Sequence, residues 1–592
     1  MTTPPAAVYE TALGQRREAL GELERGDLNL ANLRTVVFGA AVAIAVAVWG
    51  FNALSAWWLL APAVVFLVLV VRHDRLDRER KRVQRAIHYY ERALRRLTAE
   101  WHGEGIVRTD LVDDSHPYAA DLDLFGAGSL FDLICTARTP AGLHRLAGWL
   151  ANPADPRVIR ARQEAVRDLE SRSALREDLA LLADGIAADV HPEVLEIWAT
   201  RSPFFAQPGR TRIIAWLVSV AAVGATIAWP LTSLGPVPLI AVALVAAVVA
   251  RVYRHALQGV VGTIENPQRE LYVLAEVLRR LEKESAESEH LRAQLSRLQG
   301  AGDAIAALIT RVTWLDAMRN QFFFPIGFVT LWALHFSLAI ESWRQQHGTR
   351  IAGWLDALGE VEALAALSGF AFENPEFTFP EVMAGKVHYR AEALGHPLLP
   401  ADAVVKNDVE LGDSPRVLLV SGSNMSGKST MLRTIGLNAA LALAGAPVRA
   451  RNLSLSPLSI GASLRTQDSL LGGKSRFYAE IVRLKQVLDL AHGDVPALFL
   501  LDEILHGTNS HDRRIGARAI LEGFLSTDAL GLITTHDLAL ADAADALAPR
   551  VRNVHFADEL VGGELEFDYT LRDGIVQRSN AIELMRAVGL RV

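Results

Sequence analysis

The chain has 592 residues, with 60 Lys and Arg against 67 Asp and Glu, and its net charge of −7 excludes a whole-chain electrostatic case for binding a polyanion. Its one cysteine, Cys135, excludes an internal disulfide and any cysteine-rich metal site. A hydrophobic fraction of 51% and a mean hydropathy of +0.19 are high for a wholly water-soluble chain of about four domains' length, and they place part of it in a membrane.

Residues 35–51 and 56–71 are two uninterrupted apolar runs joined by an uncharged turn, each at the short end of what spans a bilayer. Arg16, Arg17, Arg25 and Arg34 precede them, and Arg72, Arg75, Arg78, Arg80, Lys81 and Arg82 follow. Basic flanks at both ends predict a transmembrane hairpin with both ends cytoplasmic. Residues 72–96 hold ten Lys or Arg and four Asp or Glu on a helical pattern, with Tyr89 and Tyr90 interleaved. A DNA-facing surface is one reading of this stretch, and a segment that sets topology and meets anionic lipid is the other.

The pattern repeats at residues 213–229 and 237–250, with Arg210 and Arg212 before, Arg251 and Arg254 after, and an uncharged turn between. This predicts a second hairpin of the same orientation. Residues 271–298 are charged and leucine-spaced, which predicts one long helix. A fifth apolar run, 322–340, contains Pro325 and His335. An odd number of spans would put the two ends of the chain on opposite sides, so this run is expected to be a buried helix of the soluble core. Pro375 and Pro380 mark a linker.

Residues 416–430 read Arg-Val-Leu-Leu-Val-Ser-Gly-Ser-Asn-Met-Ser-Gly-Lys-Ser-Thr, an apolar strand, a glycine-rich loop and a helix start. Gly422 and Gly427 bracket Ser423, Asn424, Met425 and Ser426, and Lys428, Ser429 and Thr430 follow. This spacing aims backbone N–H groups at phosphate oxygens, with Lys428 on the outer phosphates and Ser429 on a magnesium ion. Downstream, residues 497–501 form a second buried strand ending in Asp502 and Glu503. Two adjacent carboxylates at a strand end suit Asp502 to the magnesium shell and Glu503 to the attacking water. A third strand, 531–534, leads into Thr535 and His536, where a polar group can sense the outer phosphate.

These motifs, Gly-Ser-Asn-Met-Ser-Gly-Lys-Ser-Thr, Leu-Leu-Asp-Glu-Ile-Leu-His-Gly-Thr-Asn-Ser-His-Asp and Thr-Thr-His-Asp-Leu, resemble the ATPase motifs of MutS proteins, and the Asn424-Met425 pair makes the likeness specific. Residues 472–480 are similar to that family's signature loop, which implies that Ser475 reaches the ATP of a partner subunit in a dimer. Gly395-His396-Pro397 resembles the family's element near the nucleotide, and residues 128–166 resemble the opening of its helical core and lever region. The resemblance therefore implies a P-loop ATPase with ATP and magnesium as cofactors.

The expected fold is an α/β P-loop ATPase domain joined to an all-α MutS-type core and lever domain carrying two transmembrane helical hairpins. Its parts are a cytoplasmic segment 1–34, hairpin 35–72, a basic helical linker 73–115, a core 116–344 interrupted by hairpin 213–250, a core end and linker 345–380, and the ATPase domain 381–592. The expected location is the cytoplasmic membrane, multi-pass, with the ATPase domain in the cytoplasm.

Three departures bear on function. The family's mismatch reader wedges a Phe-x-Glu into DNA, whereas here residues before Gly128 hold a hairpin and a basic helix, and the one such triplet is Phe379-Pro380-Glu381. The second hairpin interrupts the core where the family's levers run toward its DNA clamp. Val404 and Val405 stand where the family often has an aromatic that stacks on adenine, and its helix-turn-helix tail is expected to be absent or short. Two readings stay open: a mismatch-repair-type ATPase acting on mispaired or branched DNA at the membrane, and a membrane-coupled switch acting on a protein or lipid partner without DNA.

Overall fold

The computed structural model describes residues 4–98, 100–113, 115–183, 192–261, 268–423, 425–464, 476–505, 510–536, 541, 545–561 and 564–575. The chain forms two compact units, residues 1–105 with 399–402, and the remainder.

The first unit is an antiparallel pair of long helices, α1 (Pro5–Trp49) and α2 (Leu60–Arg96), joined through a short 3-10 turn at Ala56–Leu59. At the open end, Tyr9 and Tyr90 are buried with ring centroids 5.9 Å apart, and Gly26 lets Leu76 approach closely. Arg17 pairs with Glu91 at 2.9 Å, and Asp27 meets His73 at 2.9 Å. Toward the turn this changes: Val36, Phe38, Phe51, Trp57 and Trp58 are all more than half exposed. The expected boundaries at 34/35 and 72/73 fall inside unbroken helices, so each apolar run continues directly into a polar stem.

The second unit begins with α3 (Leu130–Ile134), α4 (Pro140–Ala151), α5 (Pro156–Glu170), α6 (Ser173–Ala183) and α7 (Pro192–Thr200). An antiparallel apolar pair follows, α8 (Pro208–Leu231) and α9 (Val237–Val252), and then α10 (Arg254–Val261). Buried Thr211, Ala215, Val218, Ala222 and Ala225 make one small-residue face of α8, while Ile213, Leu217, Val220 and Ile227 point outward. Among the described residues, Pro5–Trp49, Ala56–Arg96 and Pro208–Leu231 are long and apolar enough to cross a membrane. A fourth span is available if Val237–Val252 is joined with the helix after it, at a bend of 64°.

Next come α11 (Gln268–Leu281), α12 (Glu289–Arg297), α13 (Ala301–Asp316), α14 (Phe324–Val329) and α15 (Trp332–Glu373). Two expectations are corrected here. The helix expected over 271–298 is broken, because Asp168 accepts from the backbone N–H groups of Glu287 and Ser288, and Arg172 donates to Glu284. The run 322–340 is not one buried helix: the chain turns at Thr330 and Leu331, with Leu331 in the left-handed region at φ 52°, and Phe322 is left 92% exposed. Its second half is buried, since Leu334, Leu338 and Ile340 lie on the inner face of α15.

α15 crosses α4 closely. A Cβ at Gly359 would meet the Ala141 carbonyl oxygen at 2.7 Å, and Glu362 accepts from the Thr139 hydroxyl and from the N–H groups of Arg138 and Thr139 at the start of α4. α4 and α5 in turn pack on α16 (Lys428–Ala444), where Arg162 donates to the Ala444 carbonyl at 3.3 Å.

The α/β part holds strands β1 (Glu381–Val382), β2 (Tyr389–Leu394), β3 (Asn407–Leu411), β4 (Val417–Ser421), β5 (Asn452–Leu455), β6 (Ser459–Ser463), β7 (Ala497–Leu501), β8 (Leu530–Thr535), β9 (Val551–Val561) and β10 (Glu564–Asp573). Helices α17 (Arg476–Ala491) and α18 (Ser510–Leu525) complete it. One sheet has the order β10-β9-β4-β8-β7-β6, parallel except at the β9–β10 edge, and a smaller one has the order β1-β5-β2-β3. Continuous apolar runs such as Val417-Leu418-Leu419-Val420 form strands buried on both faces, as a parallel sheet covered by helices requires. Residues 117–121, expected to open the helical core, dock on this sheet: Pro117 accepts from the Ala462 N–H, and Asp121 accepts from Arg483 at 2.7 Å.

Candidate phosphate-binding site

Because β4, β8 and β7 are parallel neighbours, the loops that leave their C-terminal ends gather on one edge of the sheet. The first loop carries Gly422 to Gly427, and α16 begins at Lys428. Gly422 and Gly427 are both required: Gly427 has φ +101°, and a Cβ on Gly422 would meet the Ser426 hydroxyl oxygen at 2.7 Å.

Lys428 is buried and folds back over the loop, donating to the carbonyls of Gly422 at 2.9 Å and Ser423 at 2.8 Å. Ser429 donates its hydroxyl to Asp502 Oδ2 at 2.5 Å, and Thr534 donates to the other oxygen, Oδ1. Strand ends β4, β7 and β8 thereby converge on one carboxylate. Glu503 sits at φ 44°, its N–H donates to the Thr534 hydroxyl at 2.9 Å, and its Oε1 lies 3.5 Å from Lys428 Nζ and 3.6 Å from His536 Nδ1. The hydroxyls of Ser423 and Ser426 are buried and have no hydrogen-bond partner among the described residues. Met425 stands 85% exposed at the loop tip, and Thr430 is exposed on the first turn of α16.

The structure thus brings together Gly422, Ser423, Ser426, Gly427, Lys428, Ser429, Asp502, Glu503 and His536. Asn424 and Ser475 lie outside the described residues. His396 is placed farther along α16: the preceding Gly395 carbonyl accepts from Asn438, and Arg449 donates to the His396 carbonyl at 2.9 Å. Burial, with Arg433 and Arg449 nearby, lowers the His396 imidazole to about 4 and keeps it neutral.

Tyr569 is a neighbour that the motifs did not reveal. The β9–β10 register shifts between Phe567 and Leu571, and the bulge lays the Tyr569 ring beside Gly427, 3.0 Å from where a Cβ would stand. Asn407 pins the bulge, donating to the Tyr569 carbonyl at 3.0 Å and accepting from the Leu571 N–H at 2.7 Å. The available signal was Asn407 itself, a polar residue buried at a strand start.

These features define an α/β domain whose parallel-sheet edge gathers a glycine-rich loop, a lysine at a helix N-terminus, a hydroxyl-bound carboxylate and a second carboxylate. Residues 418–591 match the family MutS domain V. The chain is 34% identical over 244 residues to "DNA mismatch repair protein MutS 2" of Halobacterium salinarum, covering 40% of this chain and 27% of the relative. It is 37% identical over 204 residues to "Endonuclease MutS2" of Thermomicrobium roseum, covering 34% and 25%. It is 32% identical over 248 residues to "DNA mismatch repair protein msh3" of Aspergillus fumigatus, covering 40% and 21%. These matches make the α/β part of the chain similar to MutS proteins, and the matched part spans about a quarter of the length of these curated relatives.

Proposed function

We propose that the chain is a MutS-type ATPase anchored in the cytoplasmic membrane by two helical hairpins, with its α/β domain in the cytoplasm. The observation that carries the ATPase reading is the Ser429 hydroxyl on Asp502 at 2.5 Å, beside a buried Lys428 in a glycine loop. The donor set fits ATP and magnesium: two buried loop hydroxyls have no partner among the described residues, Lys428 is parked on loop carbonyls that a phosphate would replace, and a hydroxyl with a carboxylate is an oxygen pair for a hard cation. Magnesium, when bound, supplies positive charge that offsets the charge on the transferring phosphoryl oxygens.

The chain's own residues do the rest. The loop N–H groups and Lys428 hold the phosphates, Ser429 and Asp502 hold the ion, and Glu503 Oε1 orients water for attack to give ADP and phosphate. His536 positions Glu503 from 3.6 Å. Ser475 is assigned to the ATP of a partner subunit in a homodimer through the ATPase domains. Tyr569 offers an aromatic face beside the loop, where Val404 and Val405 offer none.

What the ATP cycle acts on has two readings. The relatives' names favour DNA mismatch repair. A membrane-coupled switch acting on a protein or lipid partner is favoured by α15, which runs unbroken from the apolar hairpin α8–α9 to α4 and α5 on α16. ATP binding and turnover by the purified full chain test the core of the proposal. Lys428→Ala is expected to lose binding, and Glu503→Gln to bind ATP but turn over slowly, because only the latter removes water orientation. Turnover by Glu503→Gln at the parental rate would remove Glu503 from its role.

A further inference from the structure

The exposed aromatics between α13 and α15 have no role in the ATPase site. Residues 320–340 contain no Asp, Glu, Lys or Arg, yet the chain does not run straight through them. It leaves α13, turns at Asn320, forms the short α14, breaks at Thr330 and Leu331, and returns as α15. Phe322, Phe324 and Ile326 are 92%, 51% and 61% exposed, and Trp314 lies at the entrance, 52% exposed. In water, such a cluster at a loop tip has nothing to gain from exposure.

Its neighbours fix what covers it. α14 packs on α8 and α9, the apolar hairpin. Ser219 of α8 donates to the Thr330 carbonyl at 2.6 Å and meets His335 Nε2 at 2.9 Å, and the Trp216 and His335 rings lie 5.0 Å apart. Ser219 is seven residues beyond Arg212, the last basic residue before the apolar run. At 1.5 Å per residue the break therefore lies about 10 Å along the span, within a hydrocarbon half-thickness of about 15 Å.

Backbone that leaves a helix at that depth must be satisfied from within the protein. Here it is. Asn320 Oδ1 accepts from the N–H groups of Phe322 and Phe323, the Phe324 N–H reaches the Asn320 carbonyl, the Leu331 N–H reaches Phe328, and the Thr330 carbonyl freed by the break accepts Ser219. Trp332 Nε1 donates to the Trp314 carbonyl at 2.7 Å, which ties the entering and leaving arms together.

We propose that residues 320–332 form a re-entrant wedge that enters the cytoplasmic leaflet beside the second hairpin, seats Phe322, Phe324 and Ile326 among lipid acyl chains, and returns to the cytoplasm as α15, with Asp316 and Arg319, paired at 3.8 Å, at its entrance. This rests on the membrane reading above. It also resolves the fifth apolar run, because a segment that enters and leaves on one face adds no span. The wedge ties the bilayer directly to α15, so a lateral or depth change of the wedge moves the helix that caps α4.

The test uses the full chain in proteoliposomes, where the natural Cys135 is buried and does not compete for label. Phe322→Cys, Ile326→Cys, Val220→Cys and Thr310→Cys are labelled with an environment-sensitive maleimide fluorophore, and a lipid with a nitroxide on its upper acyl chain is added. Loss of emission at 220, 322 and 326 but not at 310 is the expected result. Loss at 220 with none at 322 and 326 leaves the hairpin in the membrane and overturns the wedge. No loss at 220 overturns the membrane reading and the wedge with it. In a second measurement, a membrane-impermeant maleimide on the side carrying the ATPase domain is expected to react with both Thr310→Cys and Gln346→Cys, whereas reaction from opposite sides makes the segment a span and overturns the proposal.

Discussion

Glu362 shows how a single buried group ties α15 to the start of α4, the helix that packs on α16. Burial pushes its carboxyl from the ordinary 4.5 up to about 7, while the Thr139 hydroxyl and the N–H groups of Arg138 and Thr139 pull the other way. Between these two values the folded chain holds a proton that the unfolded chain has lost. The associated stability is fully present below about 4.5 and is lost as pH rises through about 7, a swing on the order of 3 kcal/mol. Glu362→Gln keeps the acceptor oxygen and cannot ionise. The midpoint of thermal unfolding of the variant is therefore expected to rise relative to the parent between pH 5 and pH 8, and a difference that is flat with pH would show that Glu362 is ionised throughout. Asp502 is the contrasting case, a half-buried carboxylate that two hydroxyls hold in place at the ends of neighbouring strands.

At the scale of elements, the crossing of α4 and α15 is set by glycine. A Cβ at Gly359 would strike the Ala141 carbonyl at 2.7 Å, whereas one at Gly353, on the same helix, would meet only an Arg297 guanidinium nitrogen at 3.8 Å. Gly359→Val is expected to cost roughly 1–3 kcal/mol through forced separation of the helices, and Gly353→Ala to stabilise by up to about 1 kcal/mol through helix propensity; denaturant unfolding of the two variants checks the contrast. Gly359 does not stand out in the sequence, because its packing partner Ala141 is more than 200 residues away and leaves no local pattern. The strand, loop and helix of residues 416–430 were legible for the opposite reason: their geometry is set by neighbours in sequence. Tyr569 reaches Gly427 only through a bulge in a hairpin 142 residues away. The break at Leu331 was also hidden, since an apolar run without charge looks the same whether it crosses, turns or packs.

At the scale of the whole molecule, the proposed hairpins and the proposed ATP site constrain one another, because on that reading every hairpin must return the chain to the side on which ATP is available. Reporters fused at Ser55 or Ser233 are expected on the outside, and those at Arg96, Glu287 or the C-terminus on the inside. An outside signal at Glu287 would break the two-hairpin arrangement. The same architecture bears on DNA. A mismatch reader inserts an aromatic wedge, and the one Phe-x-Glu of this chain is occupied: Phe379 lies under the Arg167 guanidinium at 4.2 Å, and the Pro380 carbonyl accepts from Gln163 at 2.9 Å. The basic residues of α2 are partly engaged as well, since Arg78 pairs with Asp74 at 2.5 Å, Lys81 with Asp77 at 2.6 Å and Arg95 with Glu104 at 2.9 Å. Such exposed pairs are weak and exchange readily for phosphate contacts. Arg78, Lys81, Arg82, Arg95 and Arg96 can then neutralise phosphates without reading bases, so any binding is expected to ignore mismatches and to fall steeply with salt. A mismatch reader instead gains on the order of a few kcal/mol from the easier kinking of a mispaired step, and this gain survives moderate salt. Titrating matched duplex, mismatched duplex and four-way junction at two salt concentrations separates the two behaviours. A preference for the mismatch of about tenfold or more that persists at the higher salt would place the reading of DNA in this chain after all, through residues other than the wedge triplet.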